Sequence, residues 1–224
     1  MKYLAFILGL TLIANFALAA TNNAVSMFVK KAPIIAGVIN DSEWRNAQEV
    51  SSFSQVWPTI DLSKDKASTV TFQHDEKYLY VAAKLKLNHP QVANTLQYNK
   101  SFEGDDEFIL LLDTFASKQN AYWFSVNPNG VKSDGLIVNN TQQIVEWDGV
   151  WYAASKTDQD FWNLEMAIPL QILSFDPDSE RWGLNLVRKV NAEQEEYRWQ
   201  NPSQDLNYFE PRAFGDLSGI SKVD

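Results

Sequence analysis

Hydrophobic and polar residues alternate over short segments along most of this chain, and turn residues separate the segments. Residues 108–112 depart from the alternation, because every side chain in this run is apolar. Residues 121–126 form a second strand-like segment, which ends at the turn sequence Asn-Pro-Asn-Gly. The pattern predicts two neighbouring antiparallel strands, with the first in the middle of a sheet that is covered on both faces.

Similar short segments recur along the rest of the chain, with turn signals between them and no pattern for a long helix. They predict an all-β fold of about ten strands, a two-sheet antiparallel β-sandwich of the jelly-roll or immunoglobulin-like kind. Only short helical turns are expected. One of them follows the capping residue Asn40 and should bury the indole of Trp44.

The N-terminus has the pattern of a targeting segment. Lys2 precedes an apolar run over residues 3–16, and Ala17-Leu18-Ala19 is the small-x-small sequence that signal peptidase needs. We therefore predict a signal peptide over residues 1–19, cleaved near Ala19, and a periplasmic or secreted protein. The apolar run is too short to span a bilayer comfortably, and an integral membrane protein is not expected.

Two further segments are predicted after the signal peptide. Residues 20–31 lack periodicity and are expected to form a loose N-terminal leader. Residues 32–224 are expected to form a single domain, because the chain has a globular composition and is long enough for one sizeable core.

Composition and charge narrow the choice of ligand. The formal net charge of −9 disfavours nucleic acid as a partner, because an acidic surface repels phosphate backbones. The chain has no cysteine, so its fold cannot use disulfides, which favours a bacterial envelope over a eukaryotic secretory route. Aromatic residues make up 13% of the chain and include 8 tryptophans, a surplus that is common where sugars, membranes or partners bind.

Seven motifs occur in an order that resembles a known family. They are PIIAG at 33–37 with NDSEW at 40–44, DEKYLYV at 75–81, DDEF at 105–108, FSVN at 124–127, EMAIP at 165–169, WGLN at 182–185 and FGDL at 214–217. In this order they are similar to the family 9 carbohydrate-binding module. The amino-acid sequence of residues 120–131 and 147–151 is similar to that of a subgroup whose members often precede an outer-membrane barrel.

The resemblance implies a non-catalytic binding module that supports carbohydrate catabolism, at most as an accessory domain to glycoside hydrolases. In the family, two aromatic rings clamp the end of a glucan or xylan chain, as in cellulose. Phe102 and Tyr208 match the clamp positions, where the family usually has tryptophan. The expected polar rim consists of Glu103, Asn201, Gln204 and Asn207.

The family also often holds structural calcium, which prefers oxygen ligands. Asp41, Asp61 and Asp113 lie in predicted loops and are candidate ligands. Zinc is not expected, because the chain has no cysteine and only 2 histidines.

Other functions stay open at this point. Asp105, Asp106, Glu107 and Glu165 are carboxylates of the kind that glycoside hydrolysis needs, but nothing in the sequence indicates a cleft between them, and catalysis is not expected.

A rival from another class is an exported b-type haem protein of an electron-transfer chain, with His74 and Met166 as axial ligands. His74 shares a strand face with Val70 and Phe72, which equally fits a core histidine. A third alternative is an interaction module. It would use the two predicted long loops that carry Phe102 and Tyr208, residues 88–103 and 201–211, against an outer-membrane protein instead of a sugar.

Overall fold

A computed structural model describes residues 22–62 and 67–220, and the predicted signal peptide lies outside the described residues. Two β-sheets pack face to face, which confirms the predicted β-sandwich. Sheet A contains most of the strands in the second half of the chain. Its members are β3 (Ser54–Trp57), β6 (Glu107–Asp113), β7 (Ala121–Val126), β8 (Lys132–Val138), β9 (Gln142–Ile144), β12 (Arg181–Val190), β13 (Glu195–Arg198) and β14 (Gly215–Ser218).

Sheet B is smaller and supplies the other layer. Its members are β2 (Glu49–Val50), β4 (Thr69–His74), β5 (Tyr78–Lys86), β10 (Tyr152–Thr157) and β11 (Phe161–Pro169). One short helix, α1 (Asp41–Trp44), begins after Asn40, whose side chain accepts a hydrogen bond from the Ser42 amide at 3.0 Å. The indole of Trp44 is buried, as predicted. Within the described residues, none of the helices is long and apolar enough to cross a membrane.

The N-terminal leader is the main correction to the predicted fold. Residues 23–28 were expected to be loose, but β1 (Asn23–Phe28) forms parallel pairs with both β14 and β4. It thereby joins sheets A and B into one continuous curled sheet. Because its two pairings are parallel, that sheet is mixed rather than purely antiparallel. Side chains in β1 alternate between buried and exposed. The strand is held by partners about 45 and 190 residues away in the chain, and a local sequence pattern does not predict such pairings.

The apolar run of β6 lies in the middle of sheet A, between β12 and β7, and all of its residues are buried. Phe108 and Leu110 point into the interior of the sandwich, where they join a cluster that also contains Phe72 and Leu164 of sheet B. Ile109 and Leu111 belong to a second apolar cluster on the outer face of sheet A. Because loops cover part of this outer face, the strand needs no polar side, and the loops create the cleft described below.

The outer face of sheet B is closed by residues 35–44. The buried carboxylate of Glu165 accepts hydrogen bonds from the backbone amides of Ala36, Gly37 and Val38, at 2.9, 2.9 and 3.3 Å. Its other oxygen accepts the indole N–H of Trp44 at 3.1 Å. Burial raises the pKa of Glu165, against the four hydrogen bonds, which lower it. This carboxylate therefore acts as the anchor of the segment that covers sheet B.

Candidate functional site

The outer face of sheet A carries a cleft of about 730 Å³ between two long loops. The first loop, residues 87–106, connects β5 to β6, and the second, residues 199–214, connects β13 to β14. The first loop contributes Phe102 and Glu103 to the lining, and the second contributes Tyr208 and Phe209. The strands of sheet A supply the floor, so the cleft has a rigid base and loop walls.

A partly buried ion pair forms part of the floor. The ammonium of Lys189 on β12 lies 2.8 Å from a carboxylate oxygen of Glu107 on β6, and these residues are paired in register. The hydroxyl of Ser125 donates to the other oxygen of the same carboxylate. Burial lowers the pKa of Lys189, but Glu107 and Tyr208 outweigh it, and the net effect is a raised pKa. The Lys189 ammonium therefore keeps its charge at physiological pH.

Tyr208 stands over this ion pair. Its hydroxyl lies 3.0 Å from the Lys189 ammonium, which also lies 4.9 Å from the centroid of the tyrosine ring. The guanidinium carbon of Arg198 lies 5.8 Å from the same centroid, and the ring of Phe209 is 3.9 Å away between centroids. Burial raises the pKa of Tyr208 to about 12, so the hydroxyl is neutral and polar at physiological pH.

Two tryptophans line the cleft from the strands. Trp123 on β7 lies against Gly135 of β8, where an added Cβ would stand 2.7 Å from the indole nitrogen and 2.6 Å from the Ile144 carbonyl oxygen. The missing side chain of Gly135 therefore lets the indole lie close to the sheet. Trp57 at the end of β3 is 47% exposed and pairs with Glu196 of β13. An exposed indole is a surface on which a flat apolar group can stack.

The acidic sequence before β6 fastens the first loop to the sheet. Asp105 accepts hydrogen bonds from the amides of Asn94 and Thr95 at 2.6 and 3.0 Å, and from the Asn127 side chain at 3.0 Å. Burial acts to raise the pKa of Asp105, but Asn94, Asn127 and Thr95 lower it, and the net pKa lies below the ordinary value. The ionised carboxylate therefore holds the wall of the cleft in place.

Replacing Asp105 by asparagine is expected to lower the stability by about 2 kcal/mol at neutral pH, because the donors around it lose a charged acceptor. The folded-state pKa is depressed, so this contribution is present above the ordinary pKa of 3.8 and is lost as the pH falls through the folded-state pKa. Thermal unfolding of both proteins from neutral to acidic pH should show the difference shrinking below about pH 4.

Asp148→Asn is the matched control for this loop, because Asp148 accepts one exposed hydrogen bond from Tyr98 at 2.8 Å. It should cost less than about 1 kcal/mol. Faster amide exchange at Asn94 and Thr95 in Asp105→Asn alone would confirm the anchoring role. Equal losses of stability in the two variants would contradict it.

Comparison with known proteins places this architecture in a family. A family model described as carbohydrate family 9 binding domain-like matches residues 35–220. The chain belongs to this family. A search of curated protein sequences finds no match.

Solved structures share the fold of this family 9 domain at low sequence identity. A family 9 carbohydrate-binding module from Caldicellulosiruptor kristjanssonii, in complex with glucose, is 16% identical over 90% of this chain and 97% of its own, with a TM-score of 0.63. The complex with cellotriose gives 16% identity over 90% and 95%, with a TM-score of 0.62. A Bacteroides uniformis protein is 14% identical over 89% and 100%, with a TM-score of 0.73.

Three of the predicted site residues line the cleft of this family 9 domain. They are Phe102, Glu103 and Tyr208. Glu103 is exposed and Tyr208 is half-buried, but Phe102 is only 5% exposed. Phe102 therefore offers little ring surface on which a sugar could stack.

The other three predicted rim residues shape the second loop instead, and none of them is among the described residues that line the cleft. Gln204 donates to the Val56 carbonyl at 2.6 Å. The side chain of Asn207 accepts the Phe209 amide at 3.2 Å, and Asn201 is buried in a left-handed conformation with φ of 60°. These residues hold the segment that presents Tyr208.

The predicted calcium ligands do not form one site. Asp41 begins helix α1, and the backbone of Asp61 bridges to Gln55. The buried carboxylate of Asp113 accepts the Lys118 amide at 2.6 Å and the Ser117 hydroxyl at 3.2 Å. Within residues 22–62 and 67–220, no group of three or more histidine or acidic side chains is arranged to hold a metal ion. Asp41, Asp61 and Asp113 therefore do not form such a group in the described part of the chain.

The candidate haem ligands are part of the interior. The imidazole of His74 lies 2.9 Å from the Ser26 hydroxyl and makes an edge contact with Phe28. Burial lowers the pKa of His74, against the charge of Asp75, which raises it. Met166 is fully buried in the core cluster. Both side chains are accounted for by packing in the part of the chain that the structure describes.

Sequence patterns did not identify Trp57, Trp123 or the ion pair of Lys189 and Glu107 as parts of the site. The alternation in β7 does place Trp123 on the face opposite Phe124, which is a usable signal. Nothing local connects Glu107 to Lys189, because their pairing depends on the register of two strands that are distant in the chain.

Proposed function

We propose that this protein is a non-catalytic carbohydrate-binding module and that its ligand occupies the cleft on sheet A. The observation that carries the proposal is the combination of aromatic rings and fixed polar groups in one cleft on a family 9 domain. Sugar rings present apolar C–H faces edged by hydroxyls, and such a cleft can bury the faces while it binds the edges. The neighbouring structures that hold glucose and cellotriose support the proposal.

One polar atom beside the cleft supports a hydroxyl-bearing ligand. Among the described residues, the carboxamide oxygen of Asn99 is buried without a hydrogen-bond partner, and Asn99 lines the cleft. Buried polar atoms without partners are rare in native proteins. A sugar hydroxyl can donate to an acceptor of this kind.

The charges around the cleft favour a neutral sugar. The described lining residues include more carboxylates than ammonium groups, and Lys189 is already neutralised by Glu107. The carboxylates are Glu103, Asp105, Glu107, Glu195 and Glu196, and the ammonium groups are Lys100 and Lys189. Uronic acids and sulfated sugars would therefore meet repulsion.

The carboxylates that could have suggested hydrolysis have structural partners. Asp105 binds two loop amides, Asp106 accepts the Asn191 amide at 2.8 Å, and Glu107 is paired with Lys189. Glu165 anchors the segment over sheet B. We therefore assign binding rather than catalysis to this chain, with a supporting role in carbohydrate catabolism.

Screening on a glycan array, followed by titration calorimetry, tests the proposal. Tyr208→Ala is expected to weaken binding about 10-fold, because the ring that walls the cleft is removed. Tyr208→Phe keeps the ring and is the control, with a change of less than about 3-fold. Circular dichroism should show that both variants fold. Absence of binding by the wild-type protein to every neutral glycan would refute the proposed function.

The proposal also covers where the protein is located and which kind of protein it binds. We infer that residues 1–19 direct the chain to the periplasm or the outside of a bacterial cell, where it serves carbohydrate uptake, and that an outer-membrane protein is a candidate partner. Fractionation of expressing Gram-negative cells, with mass spectrometry of the N-terminus, checks this. Retention of Met1 in a cytoplasmic fraction would contradict export, and absence from purified outer membranes would contradict the partner.

A further inference from the structure

A second recess lies on the outer face of sheet B, on the opposite side of the sandwich from the cleft on sheet A. It has a volume of about 320 Å³, and we name it the tyrosine slot. Its described lining consists of three tyrosines and three smaller apolar residues, which are Tyr78, Tyr80, Tyr152, Ile35, Ala153 and Ala167. None of these residues takes part in the cleft on sheet A.

The strand register places tyrosines on both sides of an alanine. Tyr152 on β10 pairs with Ala167 on β11, and Ala167 pairs with Tyr80 on β5. Tyr78 lies two residues before Tyr80 on the same face, and the two rings stack with centroids 5.8 Å apart and planes 22° from parallel. The rings of β5 and β10 therefore form two walls, and the short side chain of Ala167 forms the floor between them.

The width between the two walls suits a small rounded group. Two strand spacings separate β5 from β10, which makes roughly 10 Å. A group that rests on Ala167 lies midway, at about 5 Å from each of these strands. Attraction between a cation and an aromatic ring acts within about 6 Å of the ring centroid, so one cation between the walls can interact with rings on both sides.

The three rings differ in how much surface they offer. Tyr152 is 54% exposed and Tyr78 is half-buried, whereas Tyr80 is only 4% exposed. Tyr80 belongs to the apolar cluster that also contains Trp44. Tyr152 and Tyr78 therefore supply most of the contact surface, and Tyr80 supports the wall on β5.

The electrostatics of the slot favour a cation. The face of an aromatic ring is the negative part of its quadrupole, so the rings present negative potential to a bound group. The Tyr80 hydroxyl donates to the Asp75 carboxylate at 2.7 Å, which adds a negative charge behind the wall on β5. Lys77, next to Tyr78 in the chain, lines a neighbouring cavity together with Glu76 and is not part of the slot lining.

The lining also indicates which kind of cation fits. In the described part of the chain, no carboxylate lines the slot. A metal ion or a primary ammonium group needs oxygen ligands or hydrogen-bond acceptors in place of its water. A quaternary ammonium group has no N–H to satisfy and carries its charge under a shell of methyl groups, and aromatic cages bind this kind of cation.

We propose that the tyrosine slot binds a small soluble quaternary ammonium compound of the choline type. The trimethylammonium group lies over Ala167, between Tyr152 on one side and Tyr78 and Tyr80 on the other. The formal net charge of −9 on the chain attracts such a cation to the protein surface. Because the slot and the cleft lie on opposite faces of the sandwich, both can be occupied at once.

Titration of the full protein with choline, followed by NMR, tests the need for charge. The comparison compound is the uncharged carbon analogue of choline, in which a tert-butyl group replaces the trimethylammonium group and the shape is kept. Choline is expected to bind at least about 10-fold more tightly than this analogue, and tetramethylammonium should lie within about 3-fold of choline. Equal affinity for the analogue, or no binding of choline, would overturn the proposal.

A variant of the more exposed wall tests the position of the ligand. Tyr152→Leu keeps an apolar side chain but removes the ring, and it is expected to weaken choline binding about 5-fold. Tyr98→Leu is the control, because Tyr98 is an exposed tyrosine outside the slot, and it should change the affinity by less than about 2-fold. Circular dichroism checks that both variants fold. Equal losses in the two variants would contradict the assigned position.

Two further measurements exclude other occupants of the slot. Phosphatidylcholine vesicles carry the same headgroup on a lipid, and flotation with them should recover the wild-type protein and Tyr152→Leu equally. A higher recovery of the wild type would assign the slot to a lipid and overturn the proposal of a soluble ligand. Tyr152→Leu should also bind neutral oligosaccharides as the wild type does, and a loss there would show that the slot is a sugar surface instead. Choline binding without any glycan binding would leave this proposal standing while the proposed function fails.

Discussion

Replacing Glu165 by alanine is expected to lower the melting temperature by about 12 °C. The carboxylate accepts hydrogen bonds from three consecutive backbone amides at residues 36–38 and from the indole of Trp44. Alanine leaves all four donors without an acceptor at a buried position, which costs about 4 kcal/mol. A domain of this size loses roughly 3 °C per kcal/mol, and differential scanning calorimetry measures the shift directly.

The reason for so large an effect is that the carboxylate is buried together with the Gly37 amide and the Trp44 indole N–H. Gly37 has a φ of 70°, and an added Cβ there would stand 2.8 Å from the Ser155 backbone, so the segment is pressed against β10. The buried Gly37 amide can therefore reach solvent only if the segment detaches from sheet B. Detachment would also uncover Trp44, Tyr80 and the rest of the apolar cluster on that face.

Two controls separate anchoring from a general effect of lost charge. Trp44→Phe removes one of the four donors and keeps most of the apolar contact, so a smaller loss of about 2 kcal/mol is expected. Glu103→Ala removes a carboxylate that is exposed and should change the melting temperature by less than about 2 °C. A shift in Glu165→Ala no larger than that in Glu103→Ala would show that the segment is held by other contacts.

Sequence patterns predicted the parts of the fold that depend on local information. The apolar run of β6 indicated a central strand, and β7 pairs with it as an antiparallel neighbour. The Asn40 cap and the buried Trp44 also follow from neighbouring residues. β1 could not be predicted in this way, because its two parallel partners lie far away in the chain and each supplies only three pairs.

The candidate site was predictable only in outline. The long loops before β6 and before β14 were expected to form its walls, and the structure does bring Phe102, Glu103 and Tyr208 to one cleft. Which side chain faces the cleft depends on tertiary contacts. Phe102 is buried, and the side-chain amide of Gln204 donates a hydrogen bond to the Val56 carbonyl. Trp57 is accessible because it lies on the edge strand β3, which leaves it exposed. Residue type and loop position alone could not distinguish these outcomes.

A glycine on the strand beside the cleft leads to the second large expected effect. Gly135→Ala would place a Cβ 2.7 Å from the indole nitrogen of Trp123 and 2.6 Å from the Ile144 carbonyl oxygen. The indole is the softer neighbour, since it can lift away from the sheet while the β8 and β9 backbones are fixed by their pairing. We expect the affinity for a neutral oligosaccharide to fall about 10-fold, because the displaced ring changes the floor of the cleft.

A double-mutant cycle with Trp123→Ala decides whether the glycine acts through the indole. If it does, Gly135→Ala should cost about 10-fold in the wild-type background and less than about 2-fold once Trp123 has been removed, because no ring is left to displace. Calorimetric titration of the four proteins with the same oligosaccharide gives the coupling, and circular dichroism checks that each is folded. Equal losses in both backgrounds would mean that the added methyl group disturbs the cleft through the β9 backbone and not through Trp123.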